Sequence, residues 1–169
     1  MHVVHGDGSP AATSRIDPGI AREGLTMGLY LTISLLAVLT AKSGDSDDGA
    51  VLTLIWGTTL GLALAHWLAF QLAARLFVGS TLTSHDRLAI LAQAAAAVAV
   101  ASLASLPLLL GASAATALSR GVLAGLIGLF GYAAVRSNGG SRTRATGYGL
   151  AVVVVAVVVA AGKYLLAGH

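Results

Sequence analysis

The chain has 169 residues, of which 56% are hydrophobic and 10% charged. Soluble domains carry about 25% charged residues, so the charges here are too few to cover a water-soluble core, and a membrane protein is the class that remains. The absence of cysteine excludes disulfides, thiolate metal ligands and cysteine nucleophiles. The formal charge of +3 is spread over segment ends rather than gathered into a patch, which excludes a nucleic-acid surface as its natural reading.

Residues 1–24 contain HGDGSPAATSRIDPG and no hydrophobic period, so they are expected to form a mobile cytoplasmic tail. Residues 25–169 form the expected membrane domain. Its first apolar run is LTMGLYLTISLLAVLTA, from Leu25. It is longer than the apolar core of a cleaved signal peptide and follows a long polar lead, so it is read as a retained span. The second run starts at Val51 and ends at Phe77. The third, LAILAQAAAAVAVASLASLPLLL, starts at Leu88, with Pro107 expected to bend or end it. The fourth covers Thr116 to Val135 and the fifth Tyr148 to Ala167.

Each run is roughly 17–25 residues, enough for a helix to cross about 30 Å of hydrocarbon. The fifth contains VVVVAVVVA, a strand by propensity in water. In lipid a lone strand would leave its backbone groups unpaired, so helix is expected there too. The reading is therefore all-α, with five transmembrane helices. Arg15, Arg22, Arg75, Arg87, Arg136, Arg142 and Arg144 would lie on one side and Lys42, Arg120 and Lys163 on the other. This bias predicts a cytoplasmic N-terminus and an external C-terminus.

The second run holds the most informative polar residues. Thr59, His66 and Phe70 share a helical face, and Trp67, Gln71 and Arg75 form the neighbouring stripe. Arg75 can reach the interface, whereas His66 lies roughly 13 Å deeper. Thr32 and Ser34 of the first run fall at about the depth of His66, and Gln93 of the third nearer that of Gln71. An unpaired polar group in hydrocarbon costs several kcal/mol, so His66 is expected either to line a polar pathway or to bond a neighbouring helix. An imidazole titrates in the physiological range, which would suit a proton or ion relay; no carboxylate is expected beside it in the membrane. Glu23, the sole glutamate, is read as pairing with Arg22 or Arg75. Trp56 is read as an interfacial anchor and Trp67 as a packing residue.

Gly57 and Gly61 have GxxxG spacing, and Gly121, Gly125 and Gly128 line the fourth run. They permit close helix approach, within one chain or between copies, so a homo-oligomer is one expectation. DSDDG from Asp45 lacks calcium-loop spacing, since Gly49 and Trp56 fall where ligands belong. Thr83 to Asp86 fits a capping box opening the third helix. No catalytic, nucleotide or metal fingerprint is present, so no catalytic residue, metal ligand or cofactor is expected. Two functions fit: a small oligomeric transporter or channel for an ion or small solute, or a non-catalytic scaffold or accessory subunit packing through its glycine faces.

The segment WGTTLGLALAHWLAFQLAARL and the ending GKYLLAGH, within an Arg-over-Lys, Ala/Val/Gly-rich chain, resemble small multi-pass integral membrane proteins of actinobacteria. That resemblance implies a bacterial plasma membrane location and carries no activity with it.

Overall fold

Each apolar run becomes one helix. A computed structural model describes residues 17–42, 47–77 and 84–166. The helices are α1 (Pro18–Ala41), α2 (Asp48–Phe77), α3 (Ser84–Leu109), α4 (Ala115–Ser137) and α5 (Arg142–Leu166). All five are long and apolar enough to cross a membrane, so the protein is an all-α, multi-pass helical membrane protein. The valine run is helical within α5, because a helix satisfies its own backbone groups without a partner strand.

Helices begin earlier than the apolar runs, most clearly α1 and α5, the latter at Arg142 rather than Tyr148. α1 begins at Pro18 rather than Leu25, so residues 18–24 are helix and not tail; residues 1–16 lie outside the described residues. The Asp17 carboxylate accepts the Gly19 amide at 2.8 Å, and Pro18 occupies the first helical turn, where its missing N–H is no loss. α3 continues past Pro107 to Leu109 and then turns through Gly111, whose φ of 60° is left-handed. Residues 43–46 and Thr83, which bear on the acidic loop and the capping box, lie outside the described residues.

Successive helices run up and down, which gives the bundle two ends. The proximal end gathers the start of α1, the end of α2 and the start of α3; the distal end gathers the end of α1 and the start of α4. α1 is the central element and touches all four others. Leu31, Leu35 and Leu39 are fully buried on it, and they meet Val51 and Ile55 of α2, Ala101 and Ala104 of α3, and Leu123 and Ile127 of α4.

Lipid tails are as apolar as leucine, so close packing rather than the hydrophobic effect must hold these helices together. Small residues provide it at two crossings. On α1, a Cβ at Gly24 would sit 3.3 Å from the Ala92 carbonyl oxygen, and one at Gly28 would touch Ala96 and Phe130. At the α4–α5 crossing, a Cβ on Gly149 would lie 2.8 Å from the Gly128 carbonyl oxygen, and one on Gly131 would lie 3.0 Å from the Gly149 Cα.

A polar clamp closes the distal end. The Arg120 guanidinium, on α4, donates from Nε and Nη2 to the Leu39 carbonyl at 3.0 and 2.6 Å, and from Nη2 to the Lys42 carbonyl at 3.2 Å. The final carbonyls of a helix lack intrahelical donors and carry the negative end of its dipole. A guanidinium fork is suited to that end in charge and in geometry.

α2 departs from this close packing. Val51, Ile55 and Thr59 in its distal half are buried, whereas residues 60–69 are exposed or half-buried. Its 30 residues span about 45 Å, more than the hydrocarbon thickness, which favours a tilted helix. The proximal half of α2 consequently stands away from α1.

Candidate functional site

The divergence of α2 opens a cavity of about 740 Å³ between α1, α2 and α3 at the proximal end. One wall is the stripe Glu23, Met27 and Tyr30 of α1, residues spaced three or four apart that share a helical face, with Thr26 beside it. The facing wall is Leu62, His66 and Phe70 of α2, spaced by four. Gln93 of α3 lines the cavity too, and Arg22 and Gly19 border it near the start of α1. Tyr30 sits midway along the central helix, where a closed bundle would bury it. It is 56% exposed because α2 leaves that side open.

The depths of these groups set the polarity of the cavity. Glu23 is five residues into α1, about 8 Å from its start, at interfacial depth. His66 lies about 16 Å from the end of α2 and Leu62 about 22 Å. Charge is therefore concentrated near the mouth, and apolar and aromatic groups line the interior. Beyond Leu62, the buried Ile55 and Thr59 close α2 onto its neighbours. The cavity is a vestibule that reaches about halfway along α2 from the proximal end, not a through-pore.

One hydrogen bond organises the mouth. Gln93 Nε2 donates to Glu23 Oε2 at 2.9 Å, joining α3 to α1 across 70 positions of sequence. Glu23 forms no ion pair with Arg22 or Arg75, contrary to the pairing expected from sequence. The reason is angular: Arg22 is 100° away around the helix and is exposed. At the same end, His85 Nε2 lies 3.5 Å from Asp17 Oδ2, an exposed contact between the starts of α3 and α1. Ser119, next to the Arg120 clamp, is buried, and its Oγ has no partner among the described residues.

The residues singled out in the sequence separate into groups. His66 and Gln93 share the cavity. His66 is exposed, and its imidazole bonds no described residue. Thr32 and Thr59 are buried, but each hydroxyl donates to a carbonyl four residues back on its own helix, Gly28 at 2.6 Å and Ile55 at 2.7 Å. Such bonds satisfy the hydroxyl locally and leave no polar path through it. Ser34 and Gln71 are half-buried and outside the cavity lining. Trp67, expected to pack, is 48% exposed. Trp56 is half-buried against the core.

Of the glycines named from sequence, Gly128 packs at the α4–α5 crossing. Gly57, Gly61, Gly121 and Gly125 have open space where a Cβ would stand. Gly24 and Gly28, not among the expected packing glycines, also pack closely, though GLTMG has the same spacing as GTTLG, and Glu23 and Tyr30 line the cavity without having been expected there. A signal for the first pair was available: Gly24, Gly28, Leu31 and Leu35 form one continuous stripe at helical spacing. Among the described residues, no group of three or more His, Asp or Glu side chains could hold a metal ion.

Comparison of the chain with family models, curated proteins and solved structures found no match.

Proposed function

We propose that the protein is a small membrane transporter that admits an ion or small solute into the α1–α2–α3 vestibule, with His66 as the polar group at its inner end. The vestibule supports this reading: it is an open cavity of about 740 Å³ in which His66 is unsealed and Gln93 and Glu23 are held at the mouth. A histidine serving only as interhelical glue would be bonded to its neighbour. Because the vestibule ends about halfway along α2, transport in this reading requires α2 to move between conformations open to either side, not diffusion through a fixed channel.

The excess of arginine at the proximal end favours a cytoplasmic mouth, with the N-terminus inside and the C-terminus outside. On this reading the location is the plasma membrane of an actinobacterium.

The outward faces of Gly57, Gly61, Gly121 and Gly125 support a second reading, as a scaffold or accessory subunit packing against copies of itself or against another membrane protein. An oligomeric transporter would satisfy both. Proteoliposomes carrying an internal pH dye and an imposed proton gradient separate them. The transport reading predicts protein-dependent decay of the gradient that Leu62→Trp, which narrows the inner end of the vestibule, slows and His66→Ala returns to the protein-free rate. Wild-type decay equal to that of empty vesicles, across added ions and small solutes, would reject transport and leave the scaffold reading.

A further inference from the structure

We infer that the vestibule takes an amphiphile bearing an ammonium group, with the cation at Glu23 and the apolar body along Met27, Leu62 and Phe70. The inference rests on the reading of this cavity as a binding site, and it adds the class of ligand.

Glu23 is the only glutamate in the chain, it is half-buried, and it stands at interfacial depth in a protein with few charges. A carboxylate in that position is costly unless charge or hydrogen bonds compensate it. Among the described residues its partner is neutral: the Gln93 amide takes Oε2 and leaves Oε1 uncommitted. Gln93 thus fixes the direction of the carboxylate without neutralising it, as a site prepared for an external cation would require.

The rest of the cavity fits the other half of such a ligand. Beyond Glu23 the walls are mainly apolar, Met27, Leu62, Ala65 and Phe70, with Thr26, Tyr30 and His66 adding polar atoms among them. These apolar walls suit a hydrocarbon chain. The carboxylate is at the mouth and most of the deeper wall is apolar, the order of a membrane amphiphile with its head at the interface and its tail below it. Arg22, exposed beside the mouth, would repel a cation lying outside the Glu23 position and would accept a phosphate attached to the same head.

Two sources share this chemistry: an aminophospholipid of the bilayer and a free lipophilic amine. Native mass spectrometry of the protein in a neutral detergent distinguishes them by titration with dodecyltrimethylammonium, with uncharged dodecyl glucoside of the same chain, and with phosphatidylethanolamine against phosphatidylglycerol. Wild-type protein is expected to hold the dodecyl ammonium at least tenfold more tightly than the glucoside, and Glu23→Gln to abolish that preference while keeping the contact to Gln93. Selective retention of phosphatidylethanolamine as well would identify a bilayer source, and retention of the single-chain cation alone a free one. Leu62→Trp is expected to weaken ammonium and glucoside alike. Equal binding of the two headgroups by wild-type protein would overturn the inference, without needing any variant to fold. A preference that survives Glu23→Gln would overturn the role of Glu23. Binding untouched by Leu62→Trp would instead overturn the reading of the cavity as the site.

Discussion

Replacing Gly149 with alanine tests the packing that holds the bundle together. The added methyl would sit 2.8 Å from the Gly128 carbonyl oxygen and 3.4 Å from the Tyr132 nitrogen. Both neighbours are backbone atoms within α4, so neither can rotate away, and the contact falls about half an ångström short of ordinary van der Waals separation. The helices must part by that amount along their crossing. A radial gap of this size already forfeits about a quarter of each contact's dispersion energy, itself only ~0.1–0.2 kcal/mol per atom pair. Summed over the interface with the local strain, a loss of about 1–3 kcal/mol is expected. Gly57→Ala and Gly125→Ala are the matched controls, because open space surrounds both positions. They should be neutral or stabilising by up to ~1 kcal/mol through helix propensity. Thermal unfolding in a mild detergent, followed by circular dichroism, provides the comparison. If Gly149→Ala melts with Gly57→Ala and wild type, the α4–α5 crossing is not as close as described.

Three further substitutions probe separate parts of the account. Arg120→Ala removes a charged donor from the last carbonyls of α1 and should cost about 2–3 kcal/mol in the same unfolding assay; Arg120→Lys, a point charge without the fork, should recover part of it. Asp17→Ala deletes the cap on α1 and should cost about 1 kcal/mol, seen as faster hydrogen exchange confined to the first turn of that helix. His66→Ala should leave stability within about 0.5 kcal/mol, because the exposed imidazole bonds nothing described, yet eliminate the gradient decay proposed above. A large loss of stability with intact decay would mean that His66 is structural.

The five spans were legible because length and composition decide them: an apolar run of some twenty residues has one stable fate in lipid. The start of α1 was legible too, in the Asp17–Pro18 pair, but the polar residues after it resemble a tail when hydrophobicity alone is weighed. Helix facing was harder to read. GLTMG and GTTLG have the same spacing, yet Gly24 and Gly28 pack inside while Gly57 and Gly61 face outward. The motif permits close approach without saying which neighbour arrives. The site was half legible for the same reason. Depth pointed to His66, and the vestibule does reach it. Thr32 and Thr59 lie on suitable helices, but their hydroxyls are absorbed by their own backbones, a competition that spacing does not reveal. Glu23 looked occupied by adjacent arginines, and its actual partner, Gln93, is set by the approach of α1 to α3, a tertiary fact.

The absence of cysteine makes the central claim, an aqueous vestibule reaching His66 from the proximal end, directly measurable. Single substitutions His66→Cys and Tyr30→Cys should react with a membrane-impermeant thiosulfonate added on the proximal side of oriented vesicles, and Leu62→Trp in the same chain should slow both. Thr59→Cys, buried, and Leu64→Cys, on the exposed apolar flank of α2, should stay unreactive from either side, because a thiol needs water to ionise and react. Labelling of His66→Cys no faster than Leu64→Cys would contradict the account, since His66 would then face lipid rather than a vestibule.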